Sequence, residues 1–208
     1  MGVVFRTIVS EIVEELVCEA ILWLRELWDN RVKAPDSLLV ANLSKTDRLK
    51  QKQTKQIIHG VLGEDPIQEI LKMNAADRIH KMEEVFCRLV ECYDLNVTAD
   101  FYGDSRDSCG YFDGENNILS LNVADLLSKN PEYVKEFLDT MIHELRHAIQ
   151  QKAIRTEGFW DIEETRRLEW RNNYDNYIEF EVDPQGYARQ VVEEDALTFA
   201  SGCLKGVY

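Results

Sequence analysis

Hydrophobic residues recur at three- and four-residue steps along most of this chain, and shift to two-residue alternation in one region between about 95 and 122. Ile8, Ile12, Leu16, Trp23 and Leu27 outline an amphipathic helix ending near Asp29-Asn30, after which Pro35-Asp36-Ser37 supplies turn chemistry. Ser44 or Thr46 caps the next helix, whose apolar side gathers Leu49, Ile57, Ile58, Val61 and Leu62 before Gly63 stops it. Asp65-Pro66 opens a short helix to Lys72. Ile79, Met82, Val85, Phe86, Leu89, Val90 and Tyr93 then repeat along a long one.

The period changes at Leu95 to Tyr102, which alternates and is bounded by Gly103. After a polar loop, Cys109 to Phe112 and Ile118 to Asn122 read as two strands joined by the tight polar turn Asp113 to Asn117. Asn130-Pro131-Glu132 is a helix start: an N-cap, a proline in the first turn and an acid at the positive end of the dipole. Val134, Phe137, Leu138, Met141, Ile142, Leu145, Ala148 and Ile149 continue it with a broad apolar face. Further helices are expected over Ile162–Asn173 and Tyr187–Ala200. The fold class that follows is α+β and mostly helical. Residues 1–94 form an N-terminal helical segment, and residues 95–208 a core of a small antiparallel-containing sheet, one long helix and a C-terminal helix. The first segment either packs on the core as one unit or stands apart.

Composition narrows the function. A net charge of −14 over 208 residues argues against nucleic acid or an anionic membrane surface as the main partner. The one basic run, Lys45, Arg48, Lys50, Lys52 and Lys55, reads as a solvated helix face. Residues 3–28 are apolar, but Glu11, Glu14, Glu15, Glu19, Arg25 and Glu26 exclude both a membrane span and a secretory leader. The five cysteines (18, 87, 92, 109 and 203) lack paired metal-ligand spacing and read as reduced thiols of a cytoplasmic protein.

Chemistry enters in the middle of the long helix, at His143-Glu144-Leu145-Arg146-His147. This is His-Glu-x-x-His, and positions i and i+4 share a helix face, so both imidazoles can reach one metal ion. Glu144, one step round, can act on a water molecule as general base. Arg146 is out of character, since that variable position is more often uncharged. A catalytic site of this kind uses three protein ligands and an open position. His59 and His80 read as surface residues, and no histidine follows the motif. The metzincin pattern is excluded because Gln150 and Ala153 stand where glycine and histidine would be needed. A later carboxylate remains. Glu193 shares a helical face with Ala196, Phe199 and Ala200, whose small members allow close approach to the motif helix. Glu194 is its rival, one step round the same helix.

The run His-Glu-Leu-Arg-His-Ala-x-Gln, followed by Tyr-x-x-Gln-x-x-Glu-x-Asp-Ala-x-x-Phe-Ala, is similar to the gluzincin-type peptidases related to the ImmA/IrrE group. It also resembles zincin-like metallopeptidase domains of phage and polymorphic-toxin proteins. The resemblance covers roughly residues 97 to 203 and leaves the first ninety aside. It implies one zinc ion per chain at His143, His147 and Glu193, with Glu144 as base and Asp195 orienting a ligand. The activity expected is a zinc-dependent endopeptidase acting on a protein or peptide substrate. The alternative is a zincin-like binding or regulatory module that engages a protein partner, such as an immunity protein, without cutting it. Ile118 to Leu121 is expected at the sheet edge beside the metal, where an extended peptide could add as a strand. Tyr187 is the hydroxyl assigned to stabilise an oxyanion, and the aromatic clusters between residues 159 and 180 read mainly as core. Substrate identity and oligomeric state are open.

Overall fold

The computed structural model describes residues 43–103, 109–180 and 182–208. The helix expected over residues 8–27, the turn at Pro35-Asp36-Ser37 and Cys18 lie outside the described residues, as does most of the polar loop after Gly103.

The described chain is mostly helical with one small sheet. Three helices come first: α1 (Lys45–Leu62), α2 (Pro66–Lys72) and α3 (Ala75–Cys92). Strands β1 (Thr98–Tyr102), β2 (Gly110–Asp113) and β3 (Ile118–Asn122) follow. Then come α4 (Val123–Leu127), the long α5 (Pro131–Arg155), a 3-10 turn at Phe159–Asp161, α6 (Glu164–Asp175), the single turn α7 (Pro184–Tyr187) and α8 (Val191–Leu204).

Local chemistry sets most of the helix starts. The side chains of Ser44, Asp65, Asn74, Asn122 and Asn130 each accept a hydrogen bond from a backbone N–H in the first turn of the helix they precede. Ser44 does so within a capping box, with Asp47 returning a bond to the Ser44 N–H at 2.8 Å. Gly63 ends α1 at a φ of 95°, a backbone conformation that glycine adopts without a Cβ clash.

α5 is the axis of the molecule. Its apolar face, Val134, Phe137, Leu138, Met141, Ile142, Leu145 and Ile149, is buried almost completely. It packs against α8, α6, α2, α4 and the sheet. Residues before and after position 95 contribute to one hydrophobic cluster, from Ile58 on α1 to Val207 near the C-terminus. α1 meets α8 directly, where Gln51 Nε2 donates to the Phe199 carbonyl at 3.1 Å. Tyr93, fully buried, bonds Thr54 of α1 and meets the Phe199 ring edge-on. Leu49, expected on the apolar side of α1, is 53% exposed.

The strand order is β1-β3-β2, with β1 parallel and β2 antiparallel to β3. The hairpin is where the alternation put it, but the edge is not. Ile118 to Leu121 forms the central strand, and β2 takes the edge beside α5. The reason is burial. Leu119, Ser120, Leu121 and Asn122 are uncharged and enclosed on both faces, whereas β2 carries Tyr111 at 54% exposure. Asn122 N–H bonds the Cys109 carbonyl, so Cys109 and Tyr111 pair inward and Gly110 and Phe112 turn their backbone groups to the free edge.

Gly110 is the tight point between sheet and helix. A Cβ there would stand 2.7 Å from the Ser120 carbonyl oxygen, 2.9 Å from Leu121 and 3.1 Å from Thr140 of α5. The first of these is backbone and cannot swing aside. Gly110→Ala is therefore expected to destabilise the protein by about 1–3 kcal/mol through overpacking. A urea midpoint equal to that of the parent would show that β2 can shift away from β3 and α5.

Candidate metal centre

Helical spacing puts His143 and His147 on one face of α5, and the first turns of α8 bring Glu193 across to them. The two Nε2 atoms are 3.0 Å apart. His143 Nε2 is 3.2 Å from Glu193 Oε2, and His147 Nε2 is 3.4 Å from Glu193 Oε1. Ligand-type atoms of His143, Glu144 and His147 also lie within 4.8 Å of one another. Glu193 is buried between the imidazoles at 1% exposure, while Glu194, one step round α8, is half-buried. Ala196 and Ala200 are fully buried, and α8 packs closely on α5.

A tetrahedral ion with bonds of about 2.0–2.1 Å holds its donors roughly 3.3 Å apart. Separations of 3.0, 3.2 and 3.4 Å fit that requirement. A proton on His147 shared with Glu193 satisfies the same distances, so this geometry admits either a divalent cation or an imidazolium–carboxylate pair.

The neighbours of His147 decide which of its nitrogens faces the cluster. Gln150 Nε2 donates to the Val192 carbonyl at 2.9 Å and to Asp195 Oδ2 at 2.8 Å. Its Oε1 is thereby turned toward His147 Nδ1 at 2.9 Å and the Tyr174 hydroxyl at 2.7 Å. An amide oxygen only accepts, so His147 Nδ1 carries a proton and Nε2 is the atom directed at His143 and Glu193. Metal-ligating imidazoles are commonly oriented in this way. Asp195 thus reaches His147 through Gln150 and does not touch the ring.

On the other side, the Tyr177 hydroxyl donates to Glu193 Oε1 at 2.7 Å. Tyr187 stands one link further back, at the end of α7 instead of on the ligand helix, and hydrogen-bonds Tyr177. Tyr174 and Tyr177 stack at 6.3 Å, and Tyr187 meets Tyr177 edge-on at 6.1 Å.

Charge follows this packing. Burial would pull the His147 pKa down, but Glu193's charge and hydrogen bond overcome it and push the ring up to about 9. Burial would raise Glu193, yet the charge of His147 and hydrogen bonds from both imidazoles hold it well below the usual carboxylate range. For Glu144 the balance tips the other way. Desolvation raises its pKa despite the nearby imidazoles and a hydrogen bond from the Phe112 backbone N–H at the free edge of β2. Burial keeps the Tyr174, Tyr177 and Tyr187 hydroxyls neutral, so they act as donors.

Arg146, the odd residue of the motif, is fully buried. Its NH1 donates to Asp47 Oδ1 at 2.7 Å, and its Nε and NH2 to the two oxygens of Asp195 at 2.8 and 3.2 Å. Arg166 of α6 bridges the same two carboxylates, through Asp47 Oδ2 at 3.1 Å and Asp195 Oδ1. The result is a closed ring of alternating charge, Asp47–Arg146–Asp195–Arg166. Phe199, Trp170 and Trp160 surround the Arg146 guanidinium at 4.6, 5.4 and 6.0 Å from their ring centres. The tryptophans therefore serve the core and this arginine.

His59 bonds the Gly63 carbonyl, and His80 is exposed beside Glu83, both away from the cluster by their own partners. In the basic run, Lys50 and Lys55 donate to the carbonyls of Cys92 and Lys205. Cys87, Cys92, Cys109 and Cys203 form no disulfide among the described residues. Sequence patterning missed Asp47, Arg166, Tyr174 and Tyr177 because their partners lie 16 to 119 positions away. Gln150 carried a signal, one turn after His147 on the same face. No helix among the described residues is long and apolar enough to cross a membrane. The chain matches no protein-family model, no curated protein and no solved structure, so resemblance to known proteins decides nothing about the site.

Asp47 and Asp195 are both lowered from a pKa of 3.8 despite burial, chiefly by Arg146. Their stabilising contribution is therefore fully present above about pH 4, the ordinary aspartate range, and is lost as pH falls through the lower folded values. Arg146→Met leaves two buried carboxylates sharing Arg166, which raises their pKa and reverses the sign. The variant is expected to lose roughly 3–5 kcal/mol at neutral pH. The deficit should shrink toward pH 4, where a carboxyl can take up a proton. Urea midpoints across that range measure it, and a pH-independent deficit would contradict the assignment.

Proposed function

We propose that this protein is a zinc-dependent peptidase that hydrolyses a protein or peptide substrate. His143, His147 and Glu193 hold one ion and Glu144 is the general base. The observation that supports this most is the meeting of two imidazole Nε2 atoms and a buried carboxylate at 3.0 to 3.4 Å, with a second carboxylate beside them. When bound, the ion supplies Lewis acidity that polarises a carbonyl and acidifies a water molecule.

The remaining steps belong to the chain. Glu144, with a pKa raised by burial, takes the proton of the attacking water and returns it to the leaving amine. The Phe112 N–H fixes the direction of that carboxylate. Gln150 keeps the Nδ1 proton of His147 engaged, and Tyr177 keeps Glu193 against the imidazoles. The free edge of β2, alongside α5, is the strand on which an extended peptide would pair.

Gently purified protein is expected to hold about one zinc per chain, and His143→Ala or His147→Ala to lose it. Metal analysis finding none, with no uptake on titration, would remove this reading. Glu193→Gln should weaken zinc far more than Glu194→Gln, because Glu193 is the carboxylate within 3.4 Å of both imidazoles.

Glu144→Gln separates an enzyme from a binding module. It preserves shape and both imidazoles but cannot accept the proton, a contribution of about 10²- to 10⁴-fold. The variant should bind zinc as the parent does while cleavage of target proteins, read as new N-termini in a lysate, disappears. A biological effect that survives this substitution unchanged would establish the non-catalytic module instead.

A further inference from the structure

We infer that Asp47, on α1 and far in sequence from the motif, is a positioning residue for His147. It acts through the charge ring and the amide of Gln150. The inference uses the zinc reading for one of its two readouts and stands on hydrogen-bond geometry for the other.

The geometry runs in one direction. Asp47 gives one oxygen to Arg146 and the other to Arg166, while Asp195 gives both oxygens to Arg146 and shares Oδ1 with Arg166. Guanidinium groups are planar forks, so two of them clamped between two carboxylates leave Asp195 little freedom. Asp195 Oδ2, the oxygen bonded by Arg146 Nε, is also the acceptor for Gln150 Nε2. That oxygen and the Val192 carbonyl, the two acceptors of Nε2, together set which way round the Gln150 amide lies. The amide in turn presents Oε1 to His147 Nδ1 and so directs Nε2 to the cluster.

Removing the charge of Asp47 leaves two guanidinium groups competing for Asp195. Water cannot readily take Asp47's place, since Arg146 is fully buried among Phe199, Trp170 and Trp160. The disturbance therefore passes to Asp195 and Gln150. On this account α1 is part of the site, although it contributes no atom to the His143, His147 and Glu193 cluster.

The test substitutes Asp47→Asn in the full chain, which retains an acceptor for the Ser44 N–H and so spares the helix cap. Two signals are read. The first is the His147 Nδ1 proton resonance in metal-free, histidine-labelled protein, expected to be protected from exchange in the parent and broadened or lost in the variant. The second is zinc affinity by chelator competition, expected to fall about 10- to 100-fold, as for other residues that orient a ligand. Thr54→Val is the control for general destabilisation. Thr54 is buried on the same helix and bonds the Lys50 carbonyl, Tyr93 and Cys203, which stand outside the charge ring. It should change neither signal. In a Gln150→Leu background, Asp47→Asn should have no further effect on affinity.

An unchanged proton resonance and affinity in Asp47→Asn, or an effect that adds fully to Gln150→Leu, overturns the proposal. Should Asp47→Asn fail to fold, pairing it with Arg166→Gln keeps the ring neutral. That pair is held to the same two signals, and parental behaviour in both overturns the proposal equally. The outcomes for zinc are separable. A parent that takes up no zinc but has an Asp47-dependent Nδ1 proton loses the peptidase reading and keeps this one.

Discussion

Burying α5 is the constraint on which the structure depends. A 25-residue helix through the core carries His143, Glu144, Arg146, His147 and Gln150 within two turns. Each must find a partner, because a buried polar group left unpaired costs about 1–3 kcal/mol, and a charge more. The molecule answers with two adjoining networks. One is the ring around Arg146, and the other is the meeting of His143, His147 and Glu193. Asp195 and Gln150 belong to both edges and join them.

That junction explains why α8 carries its acids where it does. Glu193 and Asp195 are two positions apart and meet different partners on α5: Glu193 faces the imidazoles, and Asp195 faces Arg146 and Gln150. Ala196 and Ala200 bring the helices close enough for both contacts. A carboxylate held low by imidazoles beside one raised by burial also divides the labour of the site. On the proposed peptidase reading, Glu193 would stay charged as a ligand while Glu144, nearer to neutrality, would carry the proton.

The first described helix belongs to the same assembly. Asp47 completes the capping box of α1 and closes the charge ring with two more bonds, while Gln51 and Thr54 tie α1 to Phe199 and Tyr93. Four helical segments, α1, α5, α6 and α8, thus supply the ring and its rim. The ring's attraction is between fully or largely buried charges in a neutral set, so it acts as a geometric specification more than as a source of net stability.

Periodicity by itself determined the helices, the hairpin and the candidate ligands. Three- and four-residue spacing is a property of one segment and can be read without its neighbours, which is why α3 lies where its apolar repeat puts it and α2 and α5 begin where their caps predict. The same spacing placed His143 and His147 together, and the small face around Ala196 selected Glu193 over Glu194. What only the tertiary structure decided is how segments meet. Strand order was one such matter: β3 took the centre because its side chains are enclosed on both faces, a fact about α5 and the neighbouring strands and not about Ile118 to Asn122. Tyr177 beside Glu193, with Tyr187 one link behind it, was another, because the chain breaks into a separate turn at α7. Arg146 is the clearest case. In sequence it looked misplaced, since its two countercharges stand 99 positions before it and 49 after it. Electrostatic partners act through space, and the distance along the chain carries no trace of them.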